Sequence, residues 1–166
     1  MKGFIYIILS FMLIMTACSQ HESHPFIQTV KGPLPTDSAG TFLTHEHILV
    51  DFTGADSAHL SRWNRDSVIA VVLPYLKQAA GLGCRTLVEC TPAYLGRDPV
   101  LLKNLSEISG VHILTNTGWY GAVNHKYLPP EAFDERPEQI SKCWVDEWEN
   151  GIEGSGIRPG FIKISM

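Results

Sequence analysis

The sequence has 166 residues, of which 45% are hydrophobic and 18% charged, a composition typical of one globular domain with a substantial core. Its formal net charge is -4, and its 13 lysine and arginine residues are scattered along the chain and outnumbered by 17 acidic residues. Because nucleic-acid-binding proteins usually present a basic surplus or stripe, the sequence excludes nucleic acid as a partner.

The N-terminus has the layout of an export signal. An apolar run, too short to cross a bilayer, is followed by the small residue Ala17. The letters MTAC at 15–18 resemble a bacterial lipobox, in which Cys18 is lipidated; an ordinary cleavable signal or a short buried helix is the alternative. We therefore expect residues 1–18 to be a lipoprotein signal peptide and polar residues 19–26 to be a flexible tether. The protein would then be anchored by lipid in the bacterial cell envelope, at the periplasmic face of the outer membrane.

Residues 27–166 alternate between strand and helix patterns. A short hairpin is predicted first, then strands over 41–47, 85–90, 111–118 and 160–165. Helices are predicted between them, over 65–83, 96–110 and 136–151. Asp98 is expected to cap the second helix, and Pro74 either starts or kinks the regular part of the first. This alternation predicts a parallel sheet covered by helices, either a doubly wound sheet or part of a (β/α)8 barrel.

Apolar residues at helical spacing predict the buried face of each helix. They are Val68, Val72, Tyr75, Leu76 and Ala79, then Leu101, Leu105 and Ile108, and finally Ile140, Trp144 and Trp148. Cys84 and Cys90 flank a predicted strand and are too far apart along it to form a disulfide. We expect both to be small core residues.

Two histidines, His45 and His47, interrupt the apolar pattern of the first predicted strand. Alternate side chains of a strand share a face, so both imidazoles should point to one side and Glu46 to the other. Two imidazoles on one face can bind one metal ion, such as zinc or iron. A hydrogen-bonded pair of core histidines is the alternative.

Lys163 lies in the last predicted strand, between apolar neighbours. Burial there would favour the neutral amine, which is the form that reacts with carbon dioxide to give a carbamate. A carbamate is an anionic oxygen ligand for metal ions. A lysine that extends to the end of the sheet to reach water is the alternative.

Four stretches stand in the chain in this order: TVKGPLPTDSAGTFLTHEHI, GCRTLVECTPAYLGRDPVLL, ILTNTGWY and GIEGSGIRPGFIKIS. In order and spacing they resemble the phosphotriesterase family of the amidohydrolase superfamily, and the resemblance covers nearly all of residues 27–165. It implies a TIM (β/α)8 barrel with two divalent metal ions, usually zinc, at the C-terminal ends of its strands. It also implies a hydrolase that acts on small-molecule ester, lactone or phosphotriester bonds through a metal-bridging hydroxide.

The resemblance also implies roles for individual residues. His45 and His47 match the family's pair of histidines on the first strand, which binds the more buried metal ion. Lys163 matches the lysine on the fourth strand, which is carbamylated and bridges both metal ions, so it is a catalytic as well as a metal-binding residue.

Three further residues are candidates for the same site. Trp119 and Tyr120 match positions where the family lines its substrate pocket, with simple core packing as the alternative. Glu89 lies inside the second predicted strand, where its carboxylate would orient a ligand histidine. A partly solvated carboxylate at the strand end is the alternative for Glu89.

The family's barrel has eight strands, whereas this sequence ends at Met166 after the fourth predicted one. Two further histidines and an aspartate of the family's ligand set have no counterpart here. We therefore expect the N-terminal half of the barrel, with about four parallel strands. Its strand edges would be unpaired, and a homodimer is one way of covering them. A metal-dependent hydrolase and a catalytically inactive, truncated half-barrel lipoprotein both stay open as functions.

Overall fold

The computed structural model describes residues 25–165 of the chain. The predicted signal peptide, the predicted lipidation site Cys18 and most of the predicted tether lie outside the described residues. Within residues 25–165, no helix combines the length and the apolar character that a membrane crossing requires.

The chain alternates between strands and helices, as the sequence predicts. The strands are β1 (Phe26–Thr29), β2 (Gly32–Pro35), β3 (Thr41–Glu46), β4 (Cys84–Glu89), β5 (His112–Leu114), β6 (Asn116–Thr117) and β7 (Phe161–Ile162). The α-helices are α1 (Arg65–Gly81), α2 (Pro99–Ser109), α3 (Glu131–Asp134) and α4 (Pro137–Asn150).

Strands β1 and β2 form the predicted antiparallel hairpin, and the strands that follow are parallel. Strand β4 lies between β3 and β5, whereas β6 pairs with β7. The third predicted strand is thus split at Thr115, whose carbonyl accepts a hydrogen bond from Gly160 N–H at 2.7 Å. The pairing partner changes at this residue, from β4 before it to the β7 segment after it.

The core lies between the sheet and helices α1 and α2. Leu101, Leu105 and Ile113 are fully buried there, and Leu76 and Leu87 are nearly so. Cys84 and Cys90 are buried free thiols, as predicted, and Cys143 is an exposed one.

Three residues predicted to face the core are instead exposed. Tyr75 of α1, Ile108 of α2 and Trp148 of α4 expose 69%, 51% and 41% of their surface. Helices α1 and α2 pack against each other and against β4 and β5 on one side, whereas α4 has no fully buried residue. The helical period therefore predicts the centre of each buried face better than its margins.

Strand β3 was predicted to be buried, and the structure contradicts this. Residues Thr41 to His45 are all exposed, with Phe42 at 36% and Leu43 at 39%. Within the described residues β3 pairs along one edge only, with β4. Its other edge and part of its faces therefore meet solvent.

Side-chain and glycine caps fix the helix ends. Asp98 Oδ1 accepts a hydrogen bond from Leu101 N–H at 3.1 Å and caps α2, as predicted. Gly110 ends α2 with a φ of 77°, a left-handed conformation that favours glycine. Pro74 is accommodated inside α1, which continues on both sides of it.

Candidate metal centre

His45 and His47 lie at the C-terminal end of β3 and approach each other. Their ring centroids are 5.3 Å apart, with the rings in an edge-on arrangement. Glu46, between them, pairs in register with Glu89 of the neighbouring strand. The strand period thus brings both imidazoles together, as expected for residues two positions apart on a strand.

The imidazole of His47 has a defined hydrogen-bond partner. Its Nδ1 atom lies 2.9 Å from the hydroxyl oxygen of Thr91. His47 is exposed overall, but partial desolvation of its ring lowers its pKa, and the nearby His45 and Lys163 lower it further, against a smaller opposite effect of Glu46. These effects favour the neutral imidazole, which is the form that binds metal ions.

Lys163 follows β7 directly and is held by the backbone of the preceding parallel strand. Its N–H donates to the carbonyl of Thr117 at 2.7 Å, and its side chain is partly buried. Its charge influences the pKa values of both His47 and Cys90. Lys163 therefore lies within electrostatic range of His47.

Gly118 makes this approach of the two strands feasible. Its φ is 105°, and a Cβ atom at this position would lie 2.2 Å from the carbonyl oxygen of Lys163. A residue with a side chain would therefore push Lys163 and β7 away.

Glu89 is buried at the end of β4 and is surrounded by hydrogen-bond donors. Its Oε1 accepts from Ile48 N–H at 3.3 Å and from the Thr91 hydroxyl, and its Oε2 accepts from Thr91 N–H at 3.1 Å. Burial raises the pKa of Glu89 to about 7, although these hydrogen bonds act in the opposite direction. The predicted carboxylate is thus in the interior, and Thr91 connects it to His47.

Thr91 and Asn116 belong to the hydrogen-bond network around Glu89, although neither was predicted from the sequence. Both are fully buried, and Asn116 Nδ2 donates to the carbonyls of Glu89 and Thr91 at 3.0 and 3.1 Å. A signal for Thr91 exists in the sequence, since it lies two residues after Glu89 and so on the same face of an extended segment. No local pattern indicates Asn116.

Trp119 and Tyr120 lie just after β6 and make aromatic contacts. Trp119 packs edge-on against Trp144 of α4, and Tyr120 packs against Tyr127, with centroids 5.9 Å apart in each pair. Trp119 also lines a cavity of about 390 Å³, together with Tyr94 and other residues. His45, His47 and Lys163 do not line this cavity.

The donor chemistry of the site fits a metal ion in part. Among residues 25–165, no group of three or more histidine, cysteine, aspartate or glutamate side chains is placed to hold one. His45 and His47 offer two imidazoles, and Lys163 would offer oxygen ligands after carbamylation. This set suits zinc and similar ions but leaves room for further ligands.

Comparisons with known proteins agree on one family. A sequence profile of the phosphotriesterase family matches residues 25–166. A phosphotriesterase homology protein of Mycobacterium tuberculosis is 28% identical over 146 residues, which are 85% of this chain and 45% of that protein. An aryldialkylphosphatase of Saccharolobus solfataricus is 24% identical over 135 residues, 81% of this chain and 42% of that protein.

The structure matches the same family. An organophosphorus hydrolase from Deinococcus radiodurans superposes with a TM-score of 0.74 at 28% identity, over 86% of this chain and 44% of that one. The match confirms the predicted fold, an α/β half of a barrel with parallel strands and covering helices. The chain spans less than half the length of these relatives.

Proposed function

The chain belongs to the phosphotriesterase family, and from this premise we propose that it is a metal-dependent hydrolase of ester, lactone or phosphotriester bonds. The proposed centre consists of His45, His47 and Lys163. One observation carries the proposal: the two imidazoles meet at the C-terminal end of a parallel strand, with His47 held by a buried polar network. Barrel enzymes place their chemistry at this end of their strands.

In this proposal the neutral imidazoles of His45 and His47 would hold divalent ions, for which zinc is the first candidate, and Lys163 would add oxygen ligands once carbamylated. Such ions, when bound, would supply Lewis acidity for the hydrolysis. Thr91 holds the ring of His47 from the protein side, and Glu89 anchors Thr91.

The aromatic residues after β6 supply the apolar part of the proposed substrate site. Trp119 offers a half-buried aromatic surface beside a cavity that also contains Tyr94. Tyr120 packs on Tyr127 and adds a second aromatic surface after β6. Such surfaces bind the apolar groups of small esters, lactones or phosphotriesters and exclude water from them.

Metal content and hydrolysis, measured on the same samples, test the proposed function. The full chain, His45→Ala and Lys163→Ala are purified in parallel, and bound metal is determined by mass spectrometry. A lactone and paraoxon serve as substrates. His125→Asn is the matched control, because His125 is exposed and its φ of 62° is tolerated by asparagine.

We expect metal binding and hydrolysis in the wild type and in His125→Asn, and the loss of both in His45→Ala and Lys163→Ala. A wild-type chain without metal and without turnover would overturn the proposal and leave the non-catalytic half-barrel as the function of this chain. Metal that is retained in His45→Ala would instead place the site elsewhere.

We also propose that Cys18 carries a lipid that anchors the protein in the bacterial envelope, at the periplasmic face of the outer membrane. The support is the sequence MTAC before a polar segment. Metabolic labelling with a radioactive fatty acid should label the wild-type chain and leave Cys18→Ala unlabelled. Labelling of Cys18→Ala would contradict this anchor.

A further inference from the structure

The contact between Thr91 and His47 constrains which atom of each side chain carries a proton. A threonine hydroxyl has one proton and can donate one hydrogen bond, whereas its oxygen can accept others. Thr91 Oγ1 has two partners, a carboxylate oxygen of Glu89 and Nδ1 of His47. The proton of the hydroxyl can be directed to one of these partners only.

The surroundings of Glu89 decide which partner receives the proton. One oxygen of this carboxylate accepts the N–H of Ile48 and the other accepts the N–H of Thr91, so both oxygens act as acceptors. When this carboxylate is ionised, the Thr91 hydroxyl therefore donates to Glu89. A lone pair of Thr91 Oγ1 is then directed at Nδ1 of His47, 2.9 Å away.

A neutral imidazole has one protonated nitrogen and one with a lone pair. Since two lone pairs facing each other at 2.9 Å repel, Nδ1 of His47 must carry the proton and donate it to Thr91. The lone pair of the ring is then on Nε2. We propose that Thr91 is a positioning residue, which holds His47 in the Nδ1–H tautomer and so leaves Nε2 free to bind metal.

Buried side chains and their hydrogen bonds hold Thr91 in place. Thr91 and Asn116 are fully buried, Glu89 is 1% exposed, and the amide of Asn116 binds the carbonyls of both Glu89 and Thr91. The hydroxyl therefore has a fixed position relative to the end of β3. Buried groups that orient a ligand histidine in this way typically change metal affinity by about 10- to 100-fold when they are removed.

This inference rests on the proposed function, because it takes His47 as a metal ligand, but its main test needs neither metal nor substrate. The full chain, labelled with 15N and stripped of metal, is studied by long-range 1H–15N NMR at pH 8.5. At this pH His47 is neutral and the Glu89 carboxyl is ionised. The signals of His47 are assigned by their disappearance in His47→Gln.

We expect the wild-type spectrum to show a protonated Nδ1 and an unprotonated Nε2 for His47. Thr91→Val, which keeps the shape and removes the hydroxyl, should give a mixture of tautomers, and Thr91→Ser should restore the wild-type pattern. Thr115→Val is the matched control, because Thr115 is equally buried and its hydroxyl has no partner in the described part of the chain.

Zinc affinity, measured by competition with a chromophoric chelator, is the second readout. We expect Thr91→Val to bind zinc about 10- to 100-fold more weakly than the wild type, and Thr91→Ser and Thr115→Val to bind within a few-fold of it. A wild-type His47 that is protonated on Nε2 would overturn the inference even if Thr91→Val does not fold.

The two proposals fail separately. An unchanged His47 spectrum in folded Thr91→Val overturns the positioning role, whatever the hydrolysis assays show. A chain that holds the expected tautomer but neither binds zinc nor hydrolyses esters overturns the proposed function and leaves the structural result in place.

Discussion

Two nitrogens of Arg97 donate to the two carboxylate oxygens of Glu147, at 3.0 and 2.6 Å, and thereby tie the loop after β4 to helix α4. The same guanidinium donates to the carbonyl of Asn116 at 2.9 Å and to Glu153 at 3.2 Å. The side chain of Arg97 exposes only 2% of its surface. It thus connects the segment after β4, strand β6 and the C-terminal helix through one buried cation.

Removal of the Arg97 guanidinium should lower the free energy of unfolding. Arg97→Met leaves the Glu147 carboxylate and the Asn116 carbonyl without their partner, and the loss of one member of a buried pair typically costs about 3–5 kcal/mol. Urea unfolding followed by circular dichroism measures the change. Lys103→Met is the control, because the Lys103–Glu107 pair is 4.0 Å long and about half exposed, and we expect it to cost less than about 1 kcal/mol. Equal effects of the two variants would contradict a structural role of Arg97.

Gly118 should be far less tolerant of substitution than Gly110. Both residues have a positive φ, so alanine carries a conformational cost of about 1 kcal/mol at either position. At Gly110 an added Cβ meets nothing within 4 Å, whereas at Gly118 it meets the Lys163 carbonyl at 2.2 Å. We therefore expect Gly118→Ala to lose several kcal/mol more in urea unfolding and to weaken zinc binding, because β7 must move. Similar losses in both variants would argue against this close approach.

Glu89 should make the protein less stable as the pH rises. Its pKa is about 7 in the folded chain and 4.5 ordinarily, so between these values the unfolded chain has lost a proton that the folded chain keeps. Stability from this group therefore falls from pH 4.5 to about pH 7, by about 3 kcal/mol. Urea unfolding at several pH values should show that Glu89→Gln lacks this decrease.

The quantity to compare is the slope of the unfolding free energy against pH, in the wild type and in Glu89→Gln. His47, whose pKa is lowered mainly by burial, contributes in the opposite direction, because its stabilisation is lost as the pH falls below 6.5. This contribution is present in both the wild type and Glu89→Gln, so the difference reports the change at Glu89 and at the Thr91 link that joins it to His47. Parallel pH profiles would show that Glu89 is ionised in the folded chain throughout this range.

Asp98 should stabilise the protein at neutral pH and less so in acid. Burial alone would raise its pKa, but hydrogen bonds from Arg65 at 2.7 Å, Trp63 at 2.9 Å and Leu101 N–H together lower it. The stabilisation by ionised Asp98 is therefore complete above about pH 4 and is lost as the pH falls through the lowered pKa. We expect Asp98→Asn to cost about 1–3 kcal/mol at pH 7 and much less at pH 3.

Urea midpoints at pH 7 and pH 3 measure this change at Asp98. Asp134→Asn, at an exposed aspartate of α3, serves as the control and should be near neutral at both pH values. A deficit of Asp98→Asn that is the same at pH 7 and pH 3 would show that the cap works without its charge.

Bicarbonate should promote metal binding if Lys163 becomes a carbamate. We expect wild-type chain incubated with zinc to retain more metal when bicarbonate is present, and Lys163→Gln to show no such dependence. Mass spectrometry of the bound metal, with and without bicarbonate in degassed buffer, provides the measurement. Equal dependence in both proteins would place the effect of bicarbonate at another group.

The sequence predicts the order of strands and helices in this chain because the apolar period and the caps are local signals. The cap at Asp98 and the buried Leu101 and Leu105 are examples. Long-range pairing is less accessible to such reasoning. The division of one predicted strand at Thr115 depends on Gly160, whose N–H binds the Thr115 carbonyl from far along the chain.

The candidate site shows the same contrast between local signals, which the sequence reveals, and long-range contacts, which it does not. The spacing of His45 and His47 predicts that their rings lie together, and the structure agrees. Glu89 was predicted to orient a ligand histidine, but the part of Thr91 was not, since its hydroxyl joins His47 and Glu89 across two neighbouring strands. The prediction that Tyr75 faces the core was wrong for a related reason. Helical spacing does not say how wide the covering sheet is, and Tyr75 is exposed.

The parallel arrangement of β6 and β7 also has a consequence for the order of synthesis. His45 and His47 leave the ribosome on the order of a hundred residues before Lys163, and translation at about 5–20 residues per second makes this a delay of several seconds. During this time the histidines, Thr91 and Glu89 can already assemble, since β3 and β4 precede the lysine strand. The nascent chain can therefore have the histidine pair in place before the amine of Lys163 arrives.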